Sequence, residues 1–241
     1  MRPIVLIARR ELGAYLRTWS GYVITAVVLM VNGLLFNALA MGGGEKRSAE
    51  VLAQFFQYSS FFVAVAAVLI SMRLLAEERQ SGTIHLLYSS PVRDSEIVIG
   101  KYLSALAFLC ILVALSVFMP LLVMVNGKVS LGHVAAGYFG LFLMGAASLA
   151  VGTFGSSLAR NQIIAAVISG SILVAMVITW MLALVTERPL SEVFSAMALY
   201  NQHFRPFESG LVHLRDVVYY AAITYVALFA TTRVLEARRW R

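Results

Sequence analysis

Charged residues divide this chain into long apolar runs. Six stretches contain no Asp, Glu, Lys or Arg, and short polar segments separate them. These stretches are Thr18–Gly44, Val51–Met72, Tyr102–Gly127, Val129–Ala159, Asn161–Thr186 and Val217–Thr232. A helix needs about 20 apolar residues to cross about 30 Å of hydrocarbon, and the first five runs are at least that long. The sixth run reaches this length if Arg233 extends its charged end to the interface.

The pattern therefore predicts an all-α integral membrane protein with six transmembrane helices. Unbroken apolar runs differ from the short alternating segments of a β-barrel. We expect one membrane domain over residues 1–241, with spans at residues 21–42, 55–76, 97–126, 131–159, 162–186 and 216–235. Three segments outside the spans are expected to have structure of their own, namely 1–20, 77–95 and 187–215.

The amino-acid composition supports a bilayer as the solvent. Hydrophobic residues make up 60% of the chain and charged residues 13%, whereas a soluble domain carries about 25% charged residues. Too few charges remain to solvate a protein surface of this size. The single cysteine, Cys110, lies inside the third run and has no partner in the chain, so we interpret it as a packing residue.

Basic residues are divided unequally between the two sides that six spans create. With both termini on one side, that side carries 13 of the 19 Lys and Arg residues and the other side carries 6. Basic loops remain in the cytoplasm, so both termini, residues 73–101 and the turn at Arg160 are predicted to be cytoplasmic. Basic loops beside anionic lipid also explain the net charge of +7, and we expect no nucleic-acid partner.

The N-terminal 20 residues predict an amphipathic helix that lies on the membrane surface. Its apolar residues recur at helical spacing and occupy about one third of the circumference at 100° per residue. They are Ile4, Val5, Ala8, Leu12, Tyr15, Leu16 and Trp19. Arginines occupy the adjoining arc, as in helices that rest on a lipid headgroup layer. Two interpretations remain open: a simple anchor, or a lever that contacts a cytoplasmic partner.

The segment between the second and third runs combines polar, helix-breaking and apolar residues. The second span is expected to end near Leu75, and Gly82 can break the helix. Thr83 can cap a new short helix, which Pro91 ends. Its apolar residues are Ile84, Leu86, Leu87 and Tyr88. A solvated turn does not normally expose four such side chains, so we expect a partner protein or the membrane surface to cover them.

Small and polar residues inside the runs predict how the helices pack. Small residues recur at multiples of four in the fourth run and again in the fifth, which allows close helix contact. Those singled out for packing are Gly140, Ser148, Gly152, Ser156 and Gly170. Asn32 in the first run is interpreted as an interhelical hydrogen-bond partner, and Pro120 predicts a kink in the third.

The longest loop on the non-cytoplasmic side covers residues 187–215. Apolar residues within it repeat at the spacing of a short amphipathic helix. They are Leu190, Val193, Phe194 and Met197. Two arrangements are open: a loop that rests at the outer interface, or a re-entrant lid over an exit path.

Catalytic motifs are scarce. Gly127-Lys128 lacks the upstream glycine of a phosphate-binding loop, so the chain is not expected to bind ATP in that way. The Glu77-Glu78 pair resembles that of intramembrane prenyl-protein proteases, but Gly82 stands where those enzymes need arginine. The four histidines lie in different regions, which disfavours a metal site. No acidic residue or lysine lies deep in a run, which argues against ion-coupled transport. We expect a non-catalytic chain without a cofactor or metal of its own.

Several segments resemble a known family. They are Glu77–Gly82, Thr83–Pro91, Glu96–Lys101, Gln202–Phe204, Phe207–Tyr219 and Leu235–Arg241. Together they resemble ABC-2 type permeases, the membrane subunits of ATP-binding-cassette exporters. The C-terminal pattern is similar to the gliding-motility-associated branch and its nitrous-oxide-reductase-maturation relatives. One departure is His85, at a position where these permeases usually carry glutamate.

The resemblance implies partners and positions. The chain would lie in a bacterial inner membrane beside a second permease, a copy or a paralogue, and a separate P-loop ATPase would hold ATP and Mg²⁺. The resemblance implies that residues 83–90 form a coupling helix seated in the ATPase. The residues expected to couple the chain to the ATPase are Glu77, Glu78, Arg79, Ser81, Gly82, Thr83, Ile84, His85, Leu86, Leu87, Tyr88, Ser90 and Pro91. The resemblance also implies that the N-terminal helix is a connecting helix with Arg9, Arg10, Glu11 and Tyr15, and that residues 187–215 form short re-entrant helices.

Two functions are compatible with these features. The first is the permease subunit of a bacterial ABC exporter, driven by the separate ATPase. The alternative is a non-transporting scaffold or mechanotransmission subunit that drives a cell-envelope machine through a periplasmic or envelope protein. No segment of the chain indicates the cargo, or whether the permease pairs with itself or with a paralogue.

Overall fold

The computed structural model describes residues 3–41, 47–84, 92–127 and 129–239. Within these ranges the secondary structure is helical, with turns and no strand. Six helical segments are long and apolar enough to cross a membrane. The prediction of an all-α integral membrane protein with six spans is therefore confirmed.

The helices follow one another with short connections. In chain order they are α1 (Pro3–Arg17), α2 (Trp19–Leu35, continued by a π-helical turn Phe36–Met41), α3 (Ser48–Ser71), α4 (Ala76–Gln80), α5 (Asp94–Leu115), α6 (Phe118–Asn126), α7 (Leu131–Leu158), α8 (Gln162–Val185), α9 (Leu190–Met197), α10 (Arg205–Glu208) and α11 (Leu214–Arg239). The candidate spans are α2, α3 with α4, α5 with α6, α7, α8 and α11.

The last span is longer than its apolar run of 16 residues suggests. Helix α11 begins at Leu214 and continues past Arg233, so the candidate span Leu214–Arg238 has 25 residues. The third span is interrupted by a turn at Ser116 and Val117. Pro120 follows this turn and has no amide hydrogen to continue the helical ladder, which accounts for the break.

The helix of the second span is interrupted near the end that is predicted to be cytoplasmic. Helix α3 stops at Ser71 rather than near Leu75. The amides of Leu75 and Ala76 both donate to Ser156 Oγ, each at 3.1 Å. A side chain of α7 therefore satisfies two backbone groups that would otherwise continue α3, and the chain starts again as the short helix α4.

Helix α7 lies at the centre of the bundle, and its small residues let other elements approach closely. A Cβ atom on Gly140 would lie 2.6 Å from Phe207, and one on Gly152 would lie 2.0 Å from Ser71 Oγ. Ser148 and Ser156 are fully buried. A Cβ atom on Gly170 would meet no atom of this chain within 4 Å, so the packing role of Gly170 stays a prediction. Across α2 and α3, Asn32 Nδ2 donates to Ser59 Oγ at 3.1 Å.

The amphipathic helix α1 packs on protein along one face. A Cβ atom on Gly100 of α5 would lie 3.0 Å from Ile7, and the Tyr15 ring stacks on Phe108 at 5.2 Å. Val5 and Trp19, assigned to the apolar arc, are exposed instead. The helical spacing identifies the apolar side chains of this segment. It does not show whether lipid or protein contacts them, since both environments accept apolar side chains.

Candidate functional site

One end of the bundle brings together several segments that the sequence separates widely. Arg79 Nη1 donates to the carbonyl of Ala159 at 2.9 Å, and Arg238 Nη2 donates to the carbonyl of Leu158 at 3.0 Å. Helix α1 and the first turns of α5 lie at the same end. We call it the basic end, and we call the opposite end, which contains α9 and α10, the distal end.

Helix α4 leads into the segment that the sequence singles out for coupling. Its last turn closes where the Gly82 amide donates to the Arg79 carbonyl at 3.2 Å. Gly82 has a φ of +74°, a left-handed conformation that glycine adopts at little cost. Thr83 Oγ1 contacts the Glu78 carboxylate, and Ser81 Oγ donates to the Glu77 carbonyl at 2.8 Å.

The described part of this segment ends at Ile84, which is buried. The remaining coupling residues of the sequence prediction lie outside the described residues; they are His85, Leu86, Leu87, Tyr88, Ser90 and Pro91. The chain is described again from Val92, and α5 begins at Asp94. The prediction of a coupling helix at 83–90 therefore stays a prediction.

A buried lysine lies at the centre of the basic end. Lys101, in the second turn of α5, is 2% exposed. Its Nζ lies 3.1 Å from Glu11 Oε1 of α1 and 2.9 Å from Glu78 Oε1 of α4. Removing an ion from water costs several kcal/mol, so a buried lysine persists only where opposite charges surround it closely. We call Glu11, Glu78 and Lys101 the buried triad.

A second ion pair lies beside the triad. Arg73 donates to Glu77 through Nε at 2.8 Å and through Nη2 at 3.2 Å. The same guanidinium contacts Ser20 and lies over the Tyr15 ring, 5.9 Å from its centre. Tyr15 donates to the Ile70 carbonyl at 3.0 Å, and burial raises the pKa of Tyr15, which keeps this donor protonated.

The buried triad, the Arg73–Glu77 pair and Tyr15 line an open cavity of about 220 Å³ at the basic end. Cations and carboxylates are balanced around it, three of each. Arg10 is the most exposed of them, at 76%, and lies 3.5 Å from Glu11. Because the buried groups already pair with one another, the arrangement serves to join helices and does not leave an ion free for a small ligand.

The structure thus brings together two predicted sets. Glu11 and Tyr15 of α1 lie beside Glu77, Glu78 and Ser81 of the coupling segment. Glu11 and Tyr15 point into the chain, whereas Arg9 and Arg10 are exposed. The sequence alone assigns Lys101 no role. It stands as the last residue of the family-like segment Glu96–Lys101 and as a charge directly before Tyr102.

The distal end contains its own buried polar cluster, which the sequence analysis also missed. His203 Nδ1 lies 2.8 Å from Asp216 Oδ1, and its Nε2 lies 3.2 Å from the Ala196 carbonyl. The Tyr219 ring stacks on this histidine at 3.7 Å. Asp216 is fully buried at the start of α11. The cluster fastens the α9 and α10 segment to the last span.

A second contact fastens the same segment to α7. His133 Nε2 lies 2.6 Å from the Glu208 carbonyl, and the Glu208 carboxylate contacts the Tyr200 hydroxyl. Burial raises the pKa of the Glu208 carboxyl. Among the residues that the structure describes, no three metal-ligating side chains gather closely enough to hold a metal ion.

A comparison with known protein families gives a match over almost the whole chain. A family model described as ABC-2 family transporter protein matches residues 5–239. The match extends from α1 to the end of α11, so it includes both the basic end and the distal end. No curated protein sequence matches the chain.

Proposed function

Because the chain belongs to the ABC-2 transporter family and is a multi-pass permease subunit, we propose that it serves a bacterial ABC exporter in the inner membrane. The family's membrane subunits are normally non-catalytic. In this proposal both termini are cytoplasmic, and a separate P-loop ATPase carries ATP and Mg²⁺. The ATPase docks at the basic end through the coupling segment, and its closure on ATP changes the packing of the spans.

The geometry of the basic end is the observation that carries this proposal. Helices α1 and α4 are tied to each other and to the starts or ends of the spans by Lys101, Arg73 and Ser156. The predicted coupling segment leaves this junction directly after α4. A force applied to that segment therefore reaches several spans through short, charge-assisted bonds.

The other finer assignments are part of the same proposal. A second permease, a copy or a paralogue, would complete the transporter. The C-terminal pattern supports the gliding-motility-associated branch and its nitrous-oxide-reductase-maturation relatives. Residues 187–215 would close the outer mouth as short re-entrant helices.

A second candidate is a mechanotransmission subunit that moves nothing across the membrane. It is favoured by the distal end, where α10 packs on the chain's own central helix. Phe207 lies against Gly140, and the backbone of Glu208 accepts a bond from His133. In this case a periplasmic or envelope protein would receive the motion.

Copurification with a P-loop ATPase tests the proposal. Leu87→Asp places a charge on the predicted coupling helix, and we expect it to abolish permease-dependent stimulation of ATP hydrolysis. Leu211→Asp is the matched control, because Leu211 is an exposed leucine of the distal end. If the Leu87→Asp complex still assembles and is stimulated, the coupling role is wrong.

Transport distinguishes the two candidates. An exporter should move a labelled cargo in proteoliposomes only when ATP and the ATPase are present. A mechanotransmission subunit should couple ATP hydrolysis to the release or movement of its envelope partner while no cargo crosses.

A further inference from the structure

Two helices of the basic end are anchored on different spans. Helix α1 rests on α5, where Ile7 lies against Gly100 and Tyr15 stacks on Phe108. Helix α4 is held by α7, through Ser156 and through the bond from Arg79 to the Ala159 carbonyl. Without a further link, a force on α4 would act on α7 and leave α1 in place.

The buried triad supplies a direct link between these anchors. We propose that Lys101 is a positioning residue that makes α1, α4 and α5 move as one body. This inference rests on the proposed function, because it gives the junction a role in transmitting the motor's movement. Lys101 Nζ lies within 3.1 Å of a carboxylate of α1 and of a carboxylate of α4.

Electrostatics explains why a lysine suits this position. A buried ion pair contributes little net stability compared with apolar side chains of similar size, because desolvation offsets the attraction. However, a buried pair is costly to separate, since each unpaired charge would remain in a medium of low dielectric constant. The triad therefore resists relative displacement of α1 and α4 far more than apolar contacts of the same area.

Other contacts at the junction do not replace the triad. Arg73 joins α4 to the end of α3 and to Ser20 at the start of α2. Its guanidinium also lies over the Tyr15 ring of α1, 5.9 Å from the ring centre, but it forms no ion pair with α1 there. Arg10 of α1 lies 4.0 Å from Glu78, but its side chain is 76% exposed, and exposed ion pairs of this length contribute little. Within the described part of the chain, Lys101 is thus the fully buried cation that pairs with a carboxylate of α1 and with one of α4.

The test needs a variant that removes the link and leaves no buried charge unpaired. The triple variant Glu11→Gln, Glu78→Gln, Lys101→Met is neutral and keeps similar side-chain volumes, so we expect it to fold. The control is the double variant Arg233→Met, Glu236→Gln. It removes an exposed ion pair, in which Arg233 Nη1 lies 3.0 Å from Glu236 Oε2. In the proposed orientation this pair also faces the cytoplasm. Lys101→Arg keeps the charge, and the adjoining cavity of about 220 Å³ has room for the larger group.

The first readout uses the permease without the ATPase. Cys110 is first replaced by alanine, so that spin labels attach only to two introduced cysteines, Gly13→Cys on α1 and Gln80→Cys on α4. Both positions have room for a label, because a Cβ atom at position 13 meets nothing within 4 Å and Gln80 is exposed. We expect a narrow distance distribution in the parent chain, the control and Lys101→Arg. The triple variant should broaden it. An equally narrow distribution in the triple variant would overturn the proposal.

The second readout is the coupling itself. Allosteric coupling free energies correspond to about 5- to 150-fold effects. We expect the triple variant to copurify with the ATPase while stimulation of hydrolysis per complex falls about fivefold or more, and Lys101→Arg to retain stimulation. Unchanged stimulation in the triple variant refutes the role of Lys101. If the parent chain binds no ATPase, the proposed function fails, and the spin-label distances still decide whether the triad joins α1 to α4.

Discussion

Both ends of the bundle bury charged side chains, but they satisfy them in different ways. At the basic end Lys101 pairs with carboxylates 90 and 23 residues away in sequence. At the distal end Asp216 Oδ1 contacts His203, which is 13 residues away, and its neighbour Arg215. Glu208 contacts Tyr200, which is 8 residues away. The basic end therefore joins helices that are distant in sequence, whereas the distal end fastens a local segment.

This difference indicates different sensitivities. Separating the basic-end helices would leave permanent charges in a medium of low dielectric constant, so that end should respond strongly to charge-removing substitutions. The distal end should respond to lost hydrogen bonds, to steric changes and to pH. Four substitutions test this contrast, and they are given from the largest expected effect to the smallest.

Lys101→Met alone should be the most damaging. It leaves Glu11 and Glu78, whose side chains are 17% and 13% exposed, without the buried cation that contacts both, and breaking one partner of a buried ion pair typically costs about 3–5 kcal/mol. The thermal unfolding midpoint of the detergent-solubilised permease measures this loss. The neutral triple variant should unfold close to the parent chain. Equal destabilisation of the single and triple variants would show that lost volume, not unpaired charge, is responsible.

Gly140→Ala should disturb the contact between the distal end and α7. The new Cβ would lie 2.6 Å from the Cβ and Cγ atoms of Phe207, which is fully buried. Overpacking of this kind costs about 1–3 kcal/mol, and the unfolding midpoint should fall accordingly. Gly170→Ala is the control, because its Cβ meets nothing within 4 Å; alanine there should be neutral or stabilise α8 by up to about 1 kcal/mol.

The six spans could be predicted because their signal is local. Each span is long and free of charge over most of its length, and a bilayer accepts only such segments or closed barrels. The ends of the spans were harder to predict from the sequence. Helix α3 stops at Ser71 because Ser156, more than 80 residues later, takes the amides that follow. A pattern along one segment carries no information about such a partner.

The same reasoning explains which site residues were found. The coupling segment stands out because glycine, proline and apolar residues occur together within 15 residues. Lys101 did not stand out, since a lysine at the border of a span usually lies at the interface. Its burial depends on Glu11 and Glu78, which reach it from two other helices. His203 and Asp216 were missed for a similar reason: their pairing depends on how the distal segment folds back on α11.

Asp216→Ala should loosen the distal segment at a cost of about 1–3 kcal/mol, the penalty for leaving a buried donor without its acceptor. The donor is His203, whose other ring nitrogen faces the Ala196 carbonyl. Limited proteolysis between α8 and α11 should become faster. Asp216→Asn keeps an acceptor and should be cleaved more slowly than the alanine variant. Equal cleavage of the parent chain and Asp216→Ala would show that the pair does not hold the segment.

Glu208 should give the smallest effect, and one that depends on pH. Burial raises the pKa of its carboxyl, while the Tyr200 hydroxyl and Arg205 oppose this shift. The folded state then binds the Glu208 proton more tightly than the unfolded chain does. Its contribution to stability is present below the unfolded pKa and is lost as pH rises through the raised folded pKa. Proteolysis of the distal segment should therefore accelerate over that interval in the parent chain, and Glu208→Gln should flatten this dependence.

Lys101 variants should leave this pH dependence unchanged, because the partners of Lys101 lie at the other end of the bundle. A shift caused by the neutral triple variant would mean that the two ends are coupled.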